Sequence, residues 1–385
     1  MRGPPAVLLL VSVAAAATPA SAPRSTPFGP PATIALGESC QPTCLAAGDF
    51  DGDGHVDVLV GSAGSNDVTV LLGDGRGGFR VGRSFPAGPN PNELFVADFD
   101  RDGKLDVAIA NHDSSNVTIL LGDGKGAFRP GPGSPLTVRS RPHPHTVTGC
   151  DADGDGIVDL VIDSWAENRL VLLKGDGRGG FAAPGVLIEV WRKPYRNAVA
   201  RDLDGDGRCD LVAPTYDAGV VTVLAGDGHG GFRARAPIVA GPAPFVVGVA
   251  DLDGDGKLDL VFSNYSGQIS DPSKDALTFL LGDGKGGFRP GAPLATGRGP
   301  FDVSTGDVDG DGIADAATAD HGGSDLTVAF GGPGGLSSSR LARVPLPDAP
   351  DRVLLVDVNG DHRADAIVAS GDAHAVIVLL ASSPP

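Results

Sequence analysis

Short apolar runs alternate with turn residues along most of the chain. Typical runs are LDLVFSN at 258–264 and LTFLLGDG at 277–284, which are rich in the Val, Leu and Ile that favour β-strands. Gly, Pro, Asn and Asp separate the runs, and no segment shows sustained helical periodicity. The central runs are apolar at successive positions instead of alternating, which predicts strands buried on both faces of a sheet. The pattern therefore predicts an all-β protein of packed sheets.

The apolar runs belong to a unit that occurs seven times. Each unit carries an acidic nonapeptide, D-x-D-x-D-G-x-x-D or a close variant, and a glycine-rich turn such as GDGRGGF at 73–79 follows in most units. The seven acidic loops lie at residues 49–57, 98–106, 151–159, 202–210, 251–259, 307–315 and 357–365. Self-similarity at intervals of 49 to 56 residues indicates a repeat fold. We expect four strands per unit, A to D, with the acidic loop joining A to B and the glycine turn joining C to D.

Seven four-stranded antiparallel sheets stacked around an axis form a seven-bladed β-propeller, which covers both faces of every sheet. An open solenoid needs polar caps on its end repeats, and none is evident here. The last unit stops after its third strand, AVIVLLA at 375–381, whereas FGPPATIALG at 28–37 resembles the fourth-strand segment at 288–297. We therefore expect the N-terminal strand to complete blade seven and close the ring, which removes exposed sheet edges.

The acidic loops have the spacing of a cation site. Carboxylates at positions one, three, five and nine, with a backbone carbonyl at position seven, form an oxygen cage suited to Ca²⁺. The Gly at position six permits the sharp turn. Of the 48 acidic residues, 27 lie at these ligand positions, and up to seven structural Ca²⁺ ions would reduce the net charge from −18 to about −4. A structural role is the first interpretation, with calcium sensing or a calcium-bridged ligand as alternatives.

The predicted metal ligands are therefore the carboxylates, the side-chain amide and the position-seven carbonyls of all seven loops. They are Asp49, Asp51, Asp53, His55 and Asp57; Asp98, Asp100, Asp102, Lys104 and Asp106; Asp151, Asp153, Asp155, Ile157 and Asp159; Asp202, Asp204, Asp206, Arg208 and Asp210; Asp251, Asp253, Asp255, Lys257 and Asp259; Asp307, Asp309, Asp311, Ile313 and Asp315; and Asp357, Asn359, Asp361, Arg363 and Asp365. Loop seven departs most from the pattern, with Asn359 at position three and His362 in place of glycine. We expect it to be the weakest site.

These loops and the GDGxGGF turns resemble the FG-GAP and VCBS repeat family, which shares its propeller with the integrin α-subunit head. FRPGAP at 288–293 is similar to the element that gives the family its name. The resemblance covers about residues 28–385. It implies a calcium-bearing propeller used for cell adhesion, recognition or display, and it does not specify a ligand.

The N-terminus predicts export. Arg2, the apolar segment 6–17 and the small residues at 17–22 are typical of a cleaved signal peptide, so we assign 1–22 to the signal and 23–385 to the propeller. No later run is long enough to span a bilayer, and the net charge of −18 argues against nucleic acid as a partner. We expect a secreted monomer, with the periplasm or the cell surface as alternatives.

The four cysteines are compatible with an oxidising compartment. Cys40 and Cys44 are close enough in sequence for a local disulfide. Cys150 and Cys209 occupy similar parts of neighbouring units, where a disulfide and two small buried residues are equally good interpretations. No Cys-x-x-Cys pair is present to favour zinc.

The remaining distinctive side chains map to the rim opposite the acidic loops. Five of the seven positions six residues after the loops are aromatic or histidine, and the exceptions are Ala63 and Gly371. The candidate ligand-binding residues on this rim are His112, Trp165, Tyr216, Tyr265, His321, Trp191, Tyr195, His145 and Arg196. Such a surface suits sugars or extended peptides, whereas the alternative is that these rings pack against neighbouring connections. His143 and His145 alone are a weak indication of a transition-metal site.

No nucleophile elbow, zinc-protease motif, phosphate loop or dinucleotide fingerprint is present in the sequence. The first hypothesis is therefore a noncatalytic recognition module that binds a glycan or a protein. A carbohydrate-active hydrolase or lyase that uses the same rim, and a purely structural surface component, are the alternatives.

Overall fold

The computed structural model describes residues 26–194, 197–268 and 271–382. Within these ranges the chain forms seven antiparallel sheets and four short 3₁₀ turns, with no α-helix. The all-β, seven-bladed architecture predicted from the repeats is confirmed. The predicted signal peptide, residues 1–22, lies outside the described residues.

The strands follow one another in blade order after the first. β1 is Ala32–Ala35, and the strands of blades one to three are β2 Pro42–Gly48, β3 Asp57–Ser62, β4 Asp67–Gly73, β5 Phe79–Pro86; β6 Pro91–Ala97, β7 Asp106–Asn111, β8 Asn116–Gly122, β9 Phe128–Pro130, β10 Leu136–Thr137; β11 Val147–Cys150, β12 Asp159–Ser164, β13 Arg169–Leu173 and β14 Val186–Glu189.

The same order continues through the second half of the ring. The strands of blades four to seven are β15 Val199–Arg201, β16 Asp210–Thr215, β17 Val220–Gly226, β18 Phe232–Ala234, β19 Ile238–Val239; β20 Pro244–Ala250, β21 Asp259–Asn264, β22 Ala276–Gly282, β23 Phe288–Pro290; β24 Pro300–Gly306, β25 Asp315–Asp320, β26 Asp325–Ala329, β27 Leu341–Pro345; and β28 Arg352–Val356, β29 Asp365–Ser370 and β30 Ala375–Leu379. The 3₁₀ turns are Trp165–Glu167, Tyr216–Ala218, Ser266–Gln268 and Pro272–Lys274.

Burial follows strand position within each blade. All six residues of every B strand (β3, β7, β12, β16, β21, β25 and β29) are buried, as the continuous apolar runs predict. The outer D strands are largely exposed; β9, β18 and β23 each have two exposed residues out of three. The core is therefore divided among the gaps between neighbouring blades.

The inner A strands line the axis and contact one another in sequence around the ring, including β28 of blade seven with β2 of blade one. Blade seven takes its fourth strand from the N-terminal region, because β1 pairs antiparallel with β30 from Ala32–Val378 to Ala35–Ala375. The Gly29 N–H also donates to the Leu380 carbonyl at 2.8 Å. Both described chain ends therefore lie in the same sheet.

Cys150 and Cys209 form a disulfide between blades three and four, across a sequence separation of 59. Of the two interpretations of this pair, a disulfide or two small buried residues, the structure has the disulfide. Cys40 and Cys44 are both buried and free, so the alternative of a local disulfide between them is wrong in this structure. Cys44 instead donates to the Pro91 carbonyl at 3.6 Å.

Candidate functional site

The acidic loops are organised around the first carboxylate of each nonapeptide. In loop five, Asp251 accepts the Gly254 N–H at 2.7 Å and the Gly256 N–H at 2.8 Å, so its two oxygens hold the loop in a tight coil. The bond to the residue at position six occurs in all seven loops. Gly254 and Gly256 have φ values of 76° and 80°, which explains the glycines at these positions.

The ninth carboxylate joins the acidic loop to the glycine turn. Asp259 accepts the Leu252 N–H at 2.9 Å and the Gly282 N–H at 2.7 Å. Equivalent pairs of bonds are made by Asp57, Asp106, Asp159, Asp210, Asp315 and Asp365. Burial raises the pKa of Asp259 to about 6 and that of Asp315 to about 7. The spacing of the nonapeptide predicts these residues as metal ligands, and it does not indicate their second role in connecting the turns.

Position three provides buried oxygens that have no hydrogen-bond partner within the described residues. These are the Oδ1 atoms of Asp100, Asp153, Asp204 and Asp309, from loops two, three, four and six. Burying a carboxylate oxygen without a partner is unfavourable, so a cation bound at these atoms would be stabilising. The carboxylates are also close enough together to share one metal ion. In loop three, one oxygen from each of Asp151, Asp153 and Asp159 lies within 4.8 Å of the other two. The donor set is all oxygen, which suits a hard divalent cation.

The neighbouring basic side chains partly neutralise the other oxygen of the same carboxylates. Lys174 Nζ lies 2.7 Å from Asp153 Oδ2, and Arg235 Nη2 lies 2.8 Å from Asp204 Oδ2. In loop five the position-seven side chain does the same at position five, since Lys257 Nζ lies 2.7 Å from Asp255 Oδ2. The basic side chains therefore contact Oδ2 of Asp153 and Asp204, whereas Oδ1 of each has no hydrogen-bond partner among the described residues.

Loops two and seven each have a non-glycine residue where the other loops have glycine, and that residue keeps the backbone conformation of the glycine. Arg101 at position four and His362 at position six have φ values of 63° and 65°, in the left-handed region. Asn359 replaces a carboxylate at position three, and its Nδ2 donates to Asp361 Oδ2 at 3.4 Å. Loop seven therefore keeps the fold of the other loops with one charge fewer.

The opposite rim, formed by the B–C and D–A connections, carries a continuous row of rings across blades four to six. Ring centroids are separated by 5.9 Å for Tyr216–Phe245, 5.1 Å for Phe245–Tyr265, 5.1 Å for Tyr265–Phe301 and 6.1 Å for Phe301–His321. The Tyr216 hydroxyl also donates to the Tyr265 carbonyl at 3.1 Å. These candidates therefore pack mainly against one another and are only partly exposed. Phe245 and Phe301 are members of the row that sequence analysis did not select.

The other candidates on this rim have separate surroundings. Trp191 is exposed over 53% of its surface, and Trp165 begins a 3₁₀ turn of the B–C connection of blade three. Tyr195 and Arg196 lie outside the described residues. His321 Nδ1 is 3.2 Å from Asp351 Oδ1, and this hydrogen bond raises the pKa of His321.

His112 and His145 meet with His143 at the junction of blades two and three. The ring centroids are 4.0 Å apart for His112–His143, 5.1 Å for His112–His145 and 4.9 Å for His143–His145. Burial and the two neighbouring imidazoles lower the pKa of His143. The structure thus provides a third histidine for the His-Pro-His pair, which the sequence separation of His112 concealed.

A depression of about 360 Å³ opens on the opposite rim close to the axis. Its lining combines one aromatic ring, Phe301, with amide, carboxylate and imidazole side chains. The polar side chains that line it are Gln41, Thr43, Asn90, Asn92, His112, Asp351 and Asp372. A concave site with few apolar and several convergent polar groups is suited to a small polar ligand.

Comparisons with known proteins agree with this architecture. The model of the FG-GAP-like repeat matches residues 49–109, 98–162 and 202–262. No curated protein matches the chain in sequence. Within the described residues, no helix is long and apolar enough to cross a membrane.

Solved propellers share the fold at low sequence identity. A BBS1N structure in complex with ARL6DN superposes with a TM-score of 0.64 at 12% identity, covering 94% of this chain and 100% of that one. An Agrocybe aegerita lectin that recognises non-reducing terminal N-acetylglucosamine gives 0.56 at 17%, covering 86% and 87%. A catalytically inactive virginiamycin B lyase from Staphylococcus aureus, solved with quinupristin, gives 0.58 at 14%, covering 92% and 100%. At these identities the likeness shows the fold alone.

Proposed function

The chain is a seven-bladed FG-GAP repeat propeller, and on that premise we propose that it is a secreted, noncatalytic recognition module. In this proposal Ca²⁺ fills the acidic loops and stabilises the ring, and the opposite rim binds a glycan. The single observation that supports ligand binding best is the axial depression of about 360 Å³ with its mixed aromatic and polar lining.

The calcium assignment is supported by the buried, unpartnered carboxylate oxygens at position three. A Ca²⁺ ion would be held by the carboxylates at positions one, three, five and nine and by the carbonyl at position seven of each loop. It would supply the positive charge that the clustered carboxylates require. Ca²⁺ titration of the chelator-treated protein should give up to seven bound ions, and Asp100→Asn should reduce the number by one. An unchanged number in that variant would contradict the assignment of loop two.

The chemistry of the depression favours a glycan over an extended peptide. Phe301 offers apolar ring surface, and Asn90, Asp351 and Asp372 offer amide and carboxylate groups for hydroxyls. The volume of about 360 Å³ is at the lower end of the range for ligand pockets, which suits a ligand of one or two sugar rings. A carboxylate-lined site also disfavours anionic ligands, in keeping with the net charge of −18.

A glycan array probed with the calcium-loaded protein tests this function. The exposed Asp372→Ala variant removes a group from the depression without disturbing the core, whereas Trp191→Ala removes an exposed ring elsewhere on the same rim. Loss of glycan binding in Asp372→Ala alone would support the axial site, and loss in Trp191→Ala alone would move the site to blades three and four. Val186→Ala, exposed on outer strand β14, is the control for a surface change.

The absence of any glycan bound by the wild type would contradict the proposal and leave a protein ligand or a structural role.

A second candidate, a carbohydrate-active enzyme, is favoured by one observation. Asp351 lines the depression and pairs with His321, and in this candidate function the pair would carry a proton between ligand and solvent. Incubation of bound glycans with the protein, followed by analysis of released sugars, separates turnover from binding.

A further inference from the structure

We propose that His112, His143 and His145 form a transition-metal site, selective for Zn²⁺ over Ca²⁺, on the rim opposite the acidic loops. Each histidine offers one ring nitrogen, and the three nitrogens all lie within 4.8 Å of one another. Zn–N bonds of about 2.0–2.1 Å require the nitrogens to lie somewhat closer to one another than this limit. Small adjustments of the side chains would achieve that spacing. This site is distinct from the acidic loops in ligand type and in position.

His145 is held in an orientation suited to metal binding. Its Nδ1 lies 3.0 Å from Asp163 Oδ2, and its backbone N–H donates to Asp163 Oδ1 at 2.7 Å. Asn92 Nδ2 donates to the His145 carbonyl at 2.6 Å, and both His145 and Asp163 are buried. A carboxylate on Nδ1 fixes the tautomer and orients Nε2 as the coordinating atom.

His112 has the same kind of carboxylate support. Its Nδ1 lies 2.7 Å from Asp113 Oδ1, and its backbone N–H donates to the Asn90 carbonyl at 2.9 Å. Nε2 is therefore the coordinating atom of His112 as well. Two histidines with outer carboxylates on Nδ1 form the arrangement commonly seen around protein-bound zinc.

The third ligand, His143, lies between Pro142 and Pro144. Proline fixes φ and restricts the residue before it, so the short segment that presents His143 and His145 is conformationally limited. Limited freedom reduces the entropy lost when the ion is bound. The segment thus combines a buried ligand, His145, with a half-buried one that can adjust to the ion.

The ligand type identifies the metal class. Three imidazoles with no thiolate suit Zn²⁺ and its neighbours Co²⁺, Ni²⁺ and Cu²⁺, whereas Ca²⁺ and Mg²⁺ prefer oxygen. The His112 side chain is 30% exposed, so solvent reaches this end of the cluster and a water molecule could complete the coordination. Three protein ligands with one open position describe a site that can bind a water molecule or a ligand group. His112 also lines the axial depression, which places the open position beside the surface proposed to bind glycans.

Zn²⁺ titration of tag-free protein tests the site. The protein is treated with chelator, reloaded with excess Ca²⁺ so that the acidic loops are occupied, and titrated by calorimetry. We expect one Zn²⁺ per chain, and at least tenfold weaker binding in His143→Ala and in His112→Ala. His229→Ala, on an exposed glycine turn of the other rim, is the matched control and should bind like the wild type.

Co²⁺ provides a second measurement, since nitrogen coordination gives visible absorption bands that carboxylate coordination alone does not reproduce. The bands should appear in the wild type and in His229→Ala, and they should be absent from His143→Ala. The proposal is overturned if the Ca²⁺-loaded wild type binds no Zn²⁺ or if His143→Ala binds it with unchanged affinity. Neither result depends on the glycan or calcium proposals, because the readout is Zn²⁺ affinity in protein that contains excess Ca²⁺.

Discussion

Arg352 donates a hydrogen bond from Nη2 to the Asn92 carbonyl at 2.9 Å, although 260 residues separate them in the chain. The same buried guanidinium donates from Nε to the Thr43 carbonyl at 2.8 Å, and its Nη1 lies 3.4 Å from Asp302 Oδ1. These partners belong to the inner strands of blades two, one and six, and Arg352 itself begins β28 of blade seven. One side chain therefore connects four blades across the axis.

Replacing Arg352 should destabilise the protein strongly. Arg352→Met keeps much of the apolar stem but removes the cation beside the buried Asp302 carboxylate and leaves two backbone carbonyls without this donor. Breaking a buried ion pair from one side costs about 3–5 kcal/mol. Chemical denaturation of the two proteins, with Ca²⁺ present throughout, measures the difference in the free energy of unfolding.

The matched control for Arg352 is Arg289→Met, on the exposed outer strand β23. This change should alter the free energy of unfolding by less than about 0.5 kcal/mol. The double variant Arg352→Met, Asp302→Asn should recover part of the loss, because the uncompensated charge is also removed. Equal losses in the Arg352 and Arg289 variants would show that the axial contacts contribute no stability.

The architecture was predictable because each blade is built from the same sequence of strands and turns. The acidic loop, the apolar B strand and the glycine turn recur with nearly fixed spacing, so one correctly interpreted unit determines all seven. Arg352 was not predictable in the same way. Its partners come from four different units, and no local pattern distinguishes it from the other arginines of the chain.

On the opposite rim, too, the positions of residues within a repeat were predictable from the sequence, whereas their contacts between blades were not. The count of six residues after each loop identified Tyr216, Tyr265 and His321, because that position is determined by the repeat. Their mutual packing through Phe245 and Phe301 depends on the angle between blades, which sequence spacing does not contain. The contact of His112 with the His-Pro-His segment was missed for the same reason.

Oxidation state should affect stability through one disulfide. Removing the Cys150–Cys209 bond by a double change to serine should lower the free energy of unfolding by about 4 kcal/mol, as expected for a loop of 59 residues. Urea unfolding of both proteins without reductant measures this loss. Added reductant should lower the wild-type midpoint and leave the double variant unchanged.

The count of free thiols gives an independent check on the same bond. Alkylation of the denatured, unreduced mature protein should modify two of the four cysteines, Cys40 and Cys44, and reduction beforehand should raise the number to four. Mass spectrometry of the labelled peptides identifies them. Four labelled cysteines without reduction would show that the disulfide does not form.

Chelation should destabilise the ring. If the acidic loops bind Ca²⁺, then Ca²⁺ at one hundred times its dissociation constant adds about 2.7 kcal/mol for each independent site, and EDTA removes this contribution. Thermal unfolding should therefore shift to a markedly lower temperature in EDTA and return with added Ca²⁺. Mg²⁺ at the same concentration is the control and should restore little, because it requires a smaller octahedral site. An unchanged melting temperature in EDTA would contradict structural calcium.

His362 offers a stabilising substitution. It occupies the glycine position of loop seven with a φ of 65°, and its side chain is exposed. His362→Gly should raise the free energy of unfolding by about 1 kcal/mol, because an L-residue is strained in the left-handed region. The reverse change, Gly256→Ala in loop five, should lower it by a similar amount; its φ is 80° and an added Cβ meets no atom within 4 Å. Urea unfolding in excess Ca²⁺ measures both, and shifts of the same sign would contradict the backbone explanation.

The last residue of each B strand is polar and fully buried, and in blade six it is the carboxylic acid Asp320. Its carboxyl group accepts hydrogen bonds from the Gly297 N–H, the Thr318 hydroxyl and the Thr327 hydroxyl. Burial nevertheless raises the pKa of Asp320 from 3.8 to about 6, with nearby Asp325 contributing in the same direction. The folded protein therefore holds a proton on this group at pH values where the unfolded chain has lost it.

Blades two and five have asparagine at the equivalent position, which provides a substitution already accommodated by the fold. Asn111 Nδ2 donates to the Thr118 hydroxyl at 2.9 Å, and Asn264 Nδ2 donates to the Thr278 hydroxyl at 2.7 Å. In Asp320→Asn the new amide can donate to Thr327 in the same way. The substitution removes the titrating group and replaces one carboxylate acceptor by an amide donor, as in blades two and five.

The stability that Asp320 contributes in its protonated form is fully present below pH 3.8 and is lost as the pH rises through about 6. The variant has no such loss. The free energy of unfolding of Asp320→Asn minus that of the wild type should therefore increase by about 2.4 kcal/mol between pH 4 and pH 7.5. Urea denaturation of both proteins across this range, in constant excess Ca²⁺, cancels the titration of the acidic loops. Parallel curves would show that the pKa of Asp320 is the same in the folded and unfolded protein. If the free energy of unfolding of the variant minus that of the wild type fell with pH, the pKa of Asp320 would be lowered on folding instead of raised.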